Sequence, residues 1–210
     1  MASLLEFNDN GDRNFNVLKL INEEATYKQL KEKIKIAFDD NTDVGLFYFS
    51  GHGFDDELDG KIVLSDYSES NYGMSFEELI QLVAEQKAKN KIVILDCCHS
   101  GRAGNFHLIG DKTAIGEGMT ILTACKPKES AEEIDGRGLF TNLLVEAIKG
   151  GASDILGNVT PGSVYAFVDR GLGAFEQRPI FKTNVSRFVS LRKCNPVFSD
   201  KEIRKIYLPS

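Results

Sequence analysis

Two stretches of the chain share one pattern: an apolar run that breaks off in a polar turn ending on glycine. Ile92-Val93-Ile94-Leu95 runs into Asp96-Cys97-Cys98-His99-Ser100-Gly101, and Val44-Gly45-Leu46-Phe47-Tyr48-Phe49 runs into Ser50-Gly51-His52-Gly53. An apolar run without alternation predicts a central strand of a parallel sheet, shielded by helices on both faces. Helical periods flank both strands. Thr26, with Gln29 at the capping-box position, opens a helix whose apolar face is Tyr27, Leu30, Ile34 and Phe38. Ser75, with Glu78, opens a second, striped by Phe76, Leu79, Ile80 and Val83. Strand–helix–strand alternation predicts a mainly parallel sheet with right-handed crossovers.

The remaining elements follow the same rules. Asn10-Gly11 reads as a turn, and the alternation of Phe15–Leu20 predicts a strand. Lys61–Leu64 predicts a short strand after an acidic loop, and Met119–Cys125 another apolar strand. Residues 101–118 show no period and read as a long exposed loop, a length that marks function or cleavage more often than plain connection. Glu129–Gly138 reads as a polar loop. Leu139–Lys149 predicts a helix burying Phe140, Leu143, Leu144 and Ile148, stopped by Gly150-Gly151. Thr160-Pro161 starts a further helix, with threonine as cap and proline in the first position, and Ser186–Leu191 predicts a last strand. There is no internal repeat and no low-complexity tract.

Composition narrows the class. At 210 residues the chain is long enough for one substantial core. Lys and Arg total 25 against 31 for Asp and Glu, a net charge of −6 that gives no basic excess for binding a phosphate backbone, so no nucleic-acid partner is expected. No apolar run approaches a membrane span, and no basic segment precedes an apolar one at the N-terminus, so neither a membrane partner nor a secretory signal is expected. Four cysteines, two of them adjacent, make a poor disulfide framework and point to a reducing, cytoplasmic setting.

The two strand ends carry a thiol and an imidazole, the minimal pair for nucleophilic catalysis. A cysteine attacks a carbonyl carbon as thiolate and needs a neighbouring base to ionise near neutrality. His52 supplies that base, and its imidazole suits later protonation of a leaving amine. The backbone N–H groups of Gly53 and Cys98 are candidate donors to the developing oxyanion. His52 lies 46 positions upstream of Cys98, close to the separation of about 50 seen in caspases.

Phe-Ser-Gly-His-Gly at 49–53 and Asp-Cys-Cys-His-Ser-Gly at 96–101 resemble the boxes of caspase-fold cysteine peptidases, most of all those of metacaspases, orthocaspases and bacterial caspase-like proteases. The resemblance continues through Leu122-Thr123-Ala124-Cys125 and Gly138-Leu139-Phe140-Thr141 and spans roughly residues 15–190. It implies an α/β fold, a caspase-like three-layer sandwich with a mainly parallel central sheet and helices on both faces. Residues 1–192 would form the peptidase domain. Within it, 15–100 would correspond to a large-subunit part, 101–118 to a processing region and 119–192 to a small-subunit part, with 193–210 an extension or linker. Cys98 is then the nucleophile and His52 its partner. Animal caspases, which cut after Asp, carry Gln-Ala-Cys-Arg/Gln-Gly around the nucleophile; here Asp96 stands two before Cys98 and Ser50 two before His52. In metacaspases the matching Asp and Ser line the pocket for the residue before the cut (P1), which is Arg or Lys. A carboxylate there pairs with a guanidinium and repels an aspartate. Arg102 and Lys112 then become candidate self-cleavage points.

The resemblance also carries looser expectations. The family's first strand would precede residue 15, so the chain reads as a fragment or as a fold without that strand. Protein substrates, an upstream sensor or activator, and a role in stress, cell death or antiviral defence are implied. Because metacaspases are mostly monomeric, a monomer is the default. No cofactor is required, but some metacaspases are calcium-activated, and Asp55, Asp56, Glu57 and Asp59 offer the oxygen ligands calcium takes, without the EF-hand spacing. Against these stand plainer readings: Cys97 pointing into the sheet, His99 in a local hydrogen bond, His107 in a solvated loop, the acidic run merely solvated. Zinc held by Cys97, Cys98 and His99 would lack a second spaced pair. Three other functions stay open: a silent scaffold that binds a partner peptide by strand addition, a same-fold protease with non-basic P1 choice, and a metal-binding module.

Overall fold

A computed structural model describes residues 1–55, 60–68, 73–97, 115–124, 133–134, 137–172 and 178–207. In chain order the elements are α1 (Ala2–Glu6), α2 (Tyr27–Ala37), β1 (Val44–Ser50), β2 (Gly53–Asp55), β3 (Gly60–Ile62), β4 (Met74–Ser75), α3 (Phe76–Ala84), β5 (Asn90–Asp96), β6 (Met119–Thr123), β7 (Glu133–Ile134), β8 (Arg137–Gly138), α4 (Leu139–Glu146), β9 (Asn158–Val159), α5 (Pro161–Gly171), β10 (Ile180–Asn184), β11 (Arg192–Lys193) and α6 (Asp200–Tyr207). They fall into two compact units. One comprises Leu18–Thr141 and Leu172–Arg187; the other comprises Met1–Val17, Asn142–Gly171 and Phe188–Ser210. Residues 193–207, read from the sequence as an extension, are thus folded into the second of these units.

The first unit is built on a four-stranded sheet in the order β1-β5-β6-β10. β1, β5 and β6 are parallel, and β10 runs antiparallel to β6 at one edge, so the sheet is mainly parallel, as the apolar runs predict. Both N-caps form: Thr26 accepts from the Gln29 N–H at 3.3 Å, and Ser75 from that of Glu78 at 3.0 Å. The striped faces of α2 and α3 enter a common core, in which Leu30, Ile34 and Phe38 meet Phe76, Leu79 and Val83 and, from the sheet, Val93, Leu95, Cys97, Met119 and Ile121. Because side chains alternate along a strand, Ile92, Ile94 and Leu122 lie on the other face and are equally buried. A strand buried on both faces has no polar positions to alternate with, which is why its sequence shows none.

Gly45 shows how tightly α2 seats on β1. A Cβ added there would lie 2.4 Å from the ring of the fully buried Phe38 and 2.9 Å from the carbonyl oxygen of Ala37. Neither neighbour has room to give way. Gly45→Ala is therefore expected to destabilise the fold by about 1–3 kcal/mol, read as a lowered Tm and an unchanged m-value in urea; an unchanged Tm would contradict this packing.

The second unit gathers α4 beyond Thr141 with α5 and the segments at the two ends of the chain. α4 passes into a wide turn over Ala147–Gly151, where Gly150 takes φ 129°, open to glycine alone, and the chain leaves the helix as Gly150-Gly151 predicts. Thr160 caps α5, accepting from the Ser163 N–H at 3.2 Å. β9 and β11 pair antiparallel.

Three expectations are corrected. Phe15–Leu20 forms no strand, since no partner among the described residues takes up its ladder; the alternation reflects half-burial of Phe15, Val17 and Leu20 alone. The strand expected at Ser186–Leu191 lies earlier, at Ile180–Asn184, where it can reach β6. Glu129–Gly138 is not wholly loop, because Glu133–Ile134 and Arg137–Gly138 pair as a short hairpin. No helix among the described residues is long and apolar enough to cross a membrane.

Candidate active site

The carboxyl ends of β1 and β5 lie side by side, with Ser50 in register with Asp96. The pairing is extended by the Gly51 N–H, which donates to the Asp96 carbonyl at 3.2 Å. His52 follows at once and is exposed. Its carbonyl accepts from the Val63 N–H at 2.9 Å, which ties the histidine to the β2–β3 hairpin on one side and to β5 on the other. The imidazole therefore stands on a backbone held at both ends.

Gly53 pairs with Ile62 in the next position of that antiparallel ladder. Hydrogen-bonded and non-bonded pairs alternate along such a ladder. Since His52 and Val63 are bonded, the Gly53 N–H points away from β3, the orientation an oxyanion donor requires.

Asp96 ends β5 and is only 6% exposed. It shares a face with Ile92, Ile94, Tyr48 and Ser50, opposite the core that takes Cys97. Thr141, in the first turn of α4, donates its hydroxyl proton to Asp96 Oδ2 in a short hydrogen bond. Thr141 Oγ1 also lies 2.6 Å from the Tyr48 phenol. Burial raises the Tyr48 pKa above the ordinary phenol value, with the Asp96 charge adding to the effect, while the bonds to Thr141 and Ser50 pull it back. The phenol thus remains protonated at neutral pH. Thr141 and Tyr48 carry no catalytic signature of their own. The only sequence signal for Thr141 is its place in the Gly138–Thr141 stretch, a polar residue directly after the buried Phe140.

Cys97 is in no disulfide, is 2% exposed and is part of the core, so it points behind the strand end as its register requires. Cys98, His99, Arg102, His107 and Lys112 lie outside the described residues, as do Asp56, Glu57 and Asp59. Asp55 ends β2. Among the described residues no group of three or more His, Cys, Asp or Glu could hold a metal ion.

The fold that carries these residues is shared with known proteins. A family model described as the caspase domain matches residues 6–189. Among solved structures, a protein from Geobacter sulfurreducens superposes with a TM-score of 0.58 at 18% identity, covering 88% of this chain and 83% of its own. Caspase-1 from Spodoptera frugiperda superposes with a TM-score of 0.52 at 17% identity, covering 85% and 74%. At these identities the likeness is one of fold. No curated protein matches the chain. With the match covering most of its length, the chain belongs to the caspase-domain family of cysteine peptidases and carries that family's α/β fold.

Proposed function

We propose that this protein is a cysteine endopeptidase that cuts polypeptides after Arg or Lys, using Cys98 and His52. The observation that carries the reading is the Asp96 carboxylate, held at the end of β5 beside Ser50 and two residues before Cys98. A buried carboxylate supported by a hydroxyl donor attracts a guanidinium or ammonium and rejects an acidic side chain. Metacaspases carry an acid at the matching position, and that resemblance supports the basic preference over the aspartate preference of animal caspases.

In the proposed reaction His52 takes the thiol proton and the Cys98 sulfur attacks the carbonyl carbon of the basic residue. The oxyanion is met by the N–H groups of Gly53 and Cys98. Collapse breaks the C–N bond, His52 gives its proton to the leaving amine, and water, deprotonated by His52, then hydrolyses the thioester. A reducing, cytoplasmic setting fits four cysteines that make a poor disulfide framework. Control by a sensor or activator, action in stress or antiviral defence, self-cleavage at Arg102 or Lys112, and activation by calcium through the Asp55–Asp59 loop belong to the same proposal.

The test pairs fluorogenic peptides that differ only in P1 (Arg, Lys or Asp), with and without calcium. Arg and Lys peptides are expected to be cleaved and Asp peptides not. Asp96→Asn should lower kcat/KM on the Arg peptide by about 10²–10³, the loss of one buried charge-assisted pair. Cleavage of the Asp peptide, or an Asp96→Asn enzyme as active as wild type, would overturn the basic-P1 reading.

A further inference from the structure

Asp96 is held by residues distant from it in the chain. Its side chain is buried at the end of β5, and Oδ2 accepts from Thr141, 45 positions away in the first turn of α4. Behind Thr141 stands Tyr48 of β1, whose phenol lies 2.6 Å from Thr141 Oγ1. The direction of both bonds follows from counting protons. An ionised carboxylate only accepts, so Thr141 donates to Asp96. A hydroxyl has one proton, and with that proton committed Thr141 Oγ1 accepts from Tyr48. Burial raises the Tyr48 pKa, so the phenol keeps the proton this bond needs. Thr141 is thus gripped from both sides. Its side chain is β-branched and stiff at χ1, and turning it would break both bonds. Asp96 Oδ2 is therefore tied to a fixed point, and the carboxylate plane cannot swing without losing that bond.

We propose that Thr141 and Tyr48 are positioning residues that fix the plane of the Asp96 carboxylate and so set a preference for arginine over lysine at P1. This inference rests on the reading of Asp96 as the P1 carboxylate. The two basic side chains make different demands of an acid. A guanidinium is a rigid planar fork, and its parallel N–H donors reach full strength only when the carboxylate lies at the matching angle. An ammonium is a compact point charge with three rotatable donors, and it pairs with a carboxylate held at any angle. Fixing the carboxylate before the substrate arrives removes the ordering cost of the guanidinium pair and changes the ammonium pair little. A carboxylate free to rotate would draw both by charge alone. Neither Thr141 nor Tyr48 needs to touch the substrate for this.

The test measures kcat/KM on peptides that differ only in P1, Arg or Lys. Wild type is expected to prefer Arg. Thr141→Val keeps the shape of the side chain and removes the donor, and the Arg-to-Lys ratio should fall about tenfold, the weight of one hydrogen bond to a charged group. The loss should fall on the Arg peptide, with the Lys peptide much less changed. Tyr48→Phe keeps the ring and releases Thr141 on one side only, so the ratio should fall about threefold. Thr141→Ser, which restores the hydroxyl, should recover most of the wild-type ratio. A merely structural role would lower both peptides together and leave the ratio alone, and that outcome overturns the inference while the Asp96 reading stands. So does a wild type that cleaves the Arg and Lys peptides equally well. Should Thr141→Val fail to fold, a wild-type ratio in Tyr48→Phe removes the positioning role. If wild type cleaves the Asp peptide, or Asp96→Asn is as active as wild type, the Asp96 reading itself fails and the inference with it.

Discussion

Cys98→Ala will abolish peptide hydrolysis, lowering kcat on an Arg peptide by at least about 10³-fold while leaving peptide binding in place. The size of the loss follows from the chemistry, since without the thiolate the bond-forming step has no nucleophile and only oxyanion and binding contributions remain. The neighbouring thiol cannot stand in. Cys97 is 2% exposed and packs in the core with Leu95 and Val93, on the face of β5 opposite Asp96. To reach a substrate it would have to turn the strand end over and break the Ser50–Asp96 register. His52→Ala is expected to show a comparable loss, relieved in part at high pH where the thiol ionises unaided. Kinetics on the Arg peptide, with fluorescence anisotropy for binding, check both statements. A Cys98→Ala protein that still hydrolyses the peptide would remove Cys98 from the mechanism. A wild-type protein that binds peptide without cutting it would favour the scaffold function.

The elements legible in the sequence were those whose signal is local. A cap, a 3.6-residue stripe and an unbroken apolar run each lie within one element, so α2, α3, β1, β5 and β6 could be read before any neighbour was known. Pairing is not local. Phe15–Leu20 has the alternation of a strand and lacks a partner among the described residues. Ile180–Asn184 has a partner but ends in Lys182-Thr183-Asn184, the polar dress of an edge strand, and so carries no run to notice. The two-residue strands β9 and β11 exist only because distant chain segments meet. The site divides in the same way. The His52 and Cys98 boxes announce themselves because strand end and chemistry are contiguous, and the register of β1 on β5 then sets Ser50 beside Asp96. The support of Asp96 was hidden, because Thr141 lies 45 positions from Asp96 and 93 from Tyr48, and nothing in a hydroxyl reports what it will touch.

The largest stability effect is expected at another such long-range contact, within the second unit. Asp9→Ala should cost about 3 kcal/mol, roughly a 6–12 °C fall in Tm for a chain of this size. Arg192 is 183 positions from Asp9 and meets it at 2.5 Å with its side chain only 9% exposed. The guanidinium also donates to the carbonyls of Phe7 at 3.1 Å and Ile148 at 3.2 Å and lies 3.4 Å from the Cys194 sulfur, so it fixes the chain start against β11 and the turn after α4. Asp9 works in both directions, accepting from the Asn195 N–H at 3.0 Å while its own N–H donates to the Lys193 carbonyl. Removing the carboxylate strands a buried cation whose carbonyl partners cannot neutralise it. Arg192→Met should cost less, because Asp9 is about a quarter exposed and can turn to water. The double variant Asp9→Ala/Arg192→Met should then be more stable than Asp9→Ala alone, since the second change removes the stranded charge. Urea unfolding of the four proteins measures the cycle. Cys194 supplies an independent reading, because burial raises its thiol pKa and keeps it neutral and slow to alkylate. Asp9→Ala should speed alkylation at Cys194, followed by mass spectrometry, as the clamp over it loosens. Wild-type stability together with wild-type labelling in Asp9→Ala would show that the ion pair does not hold this unit together.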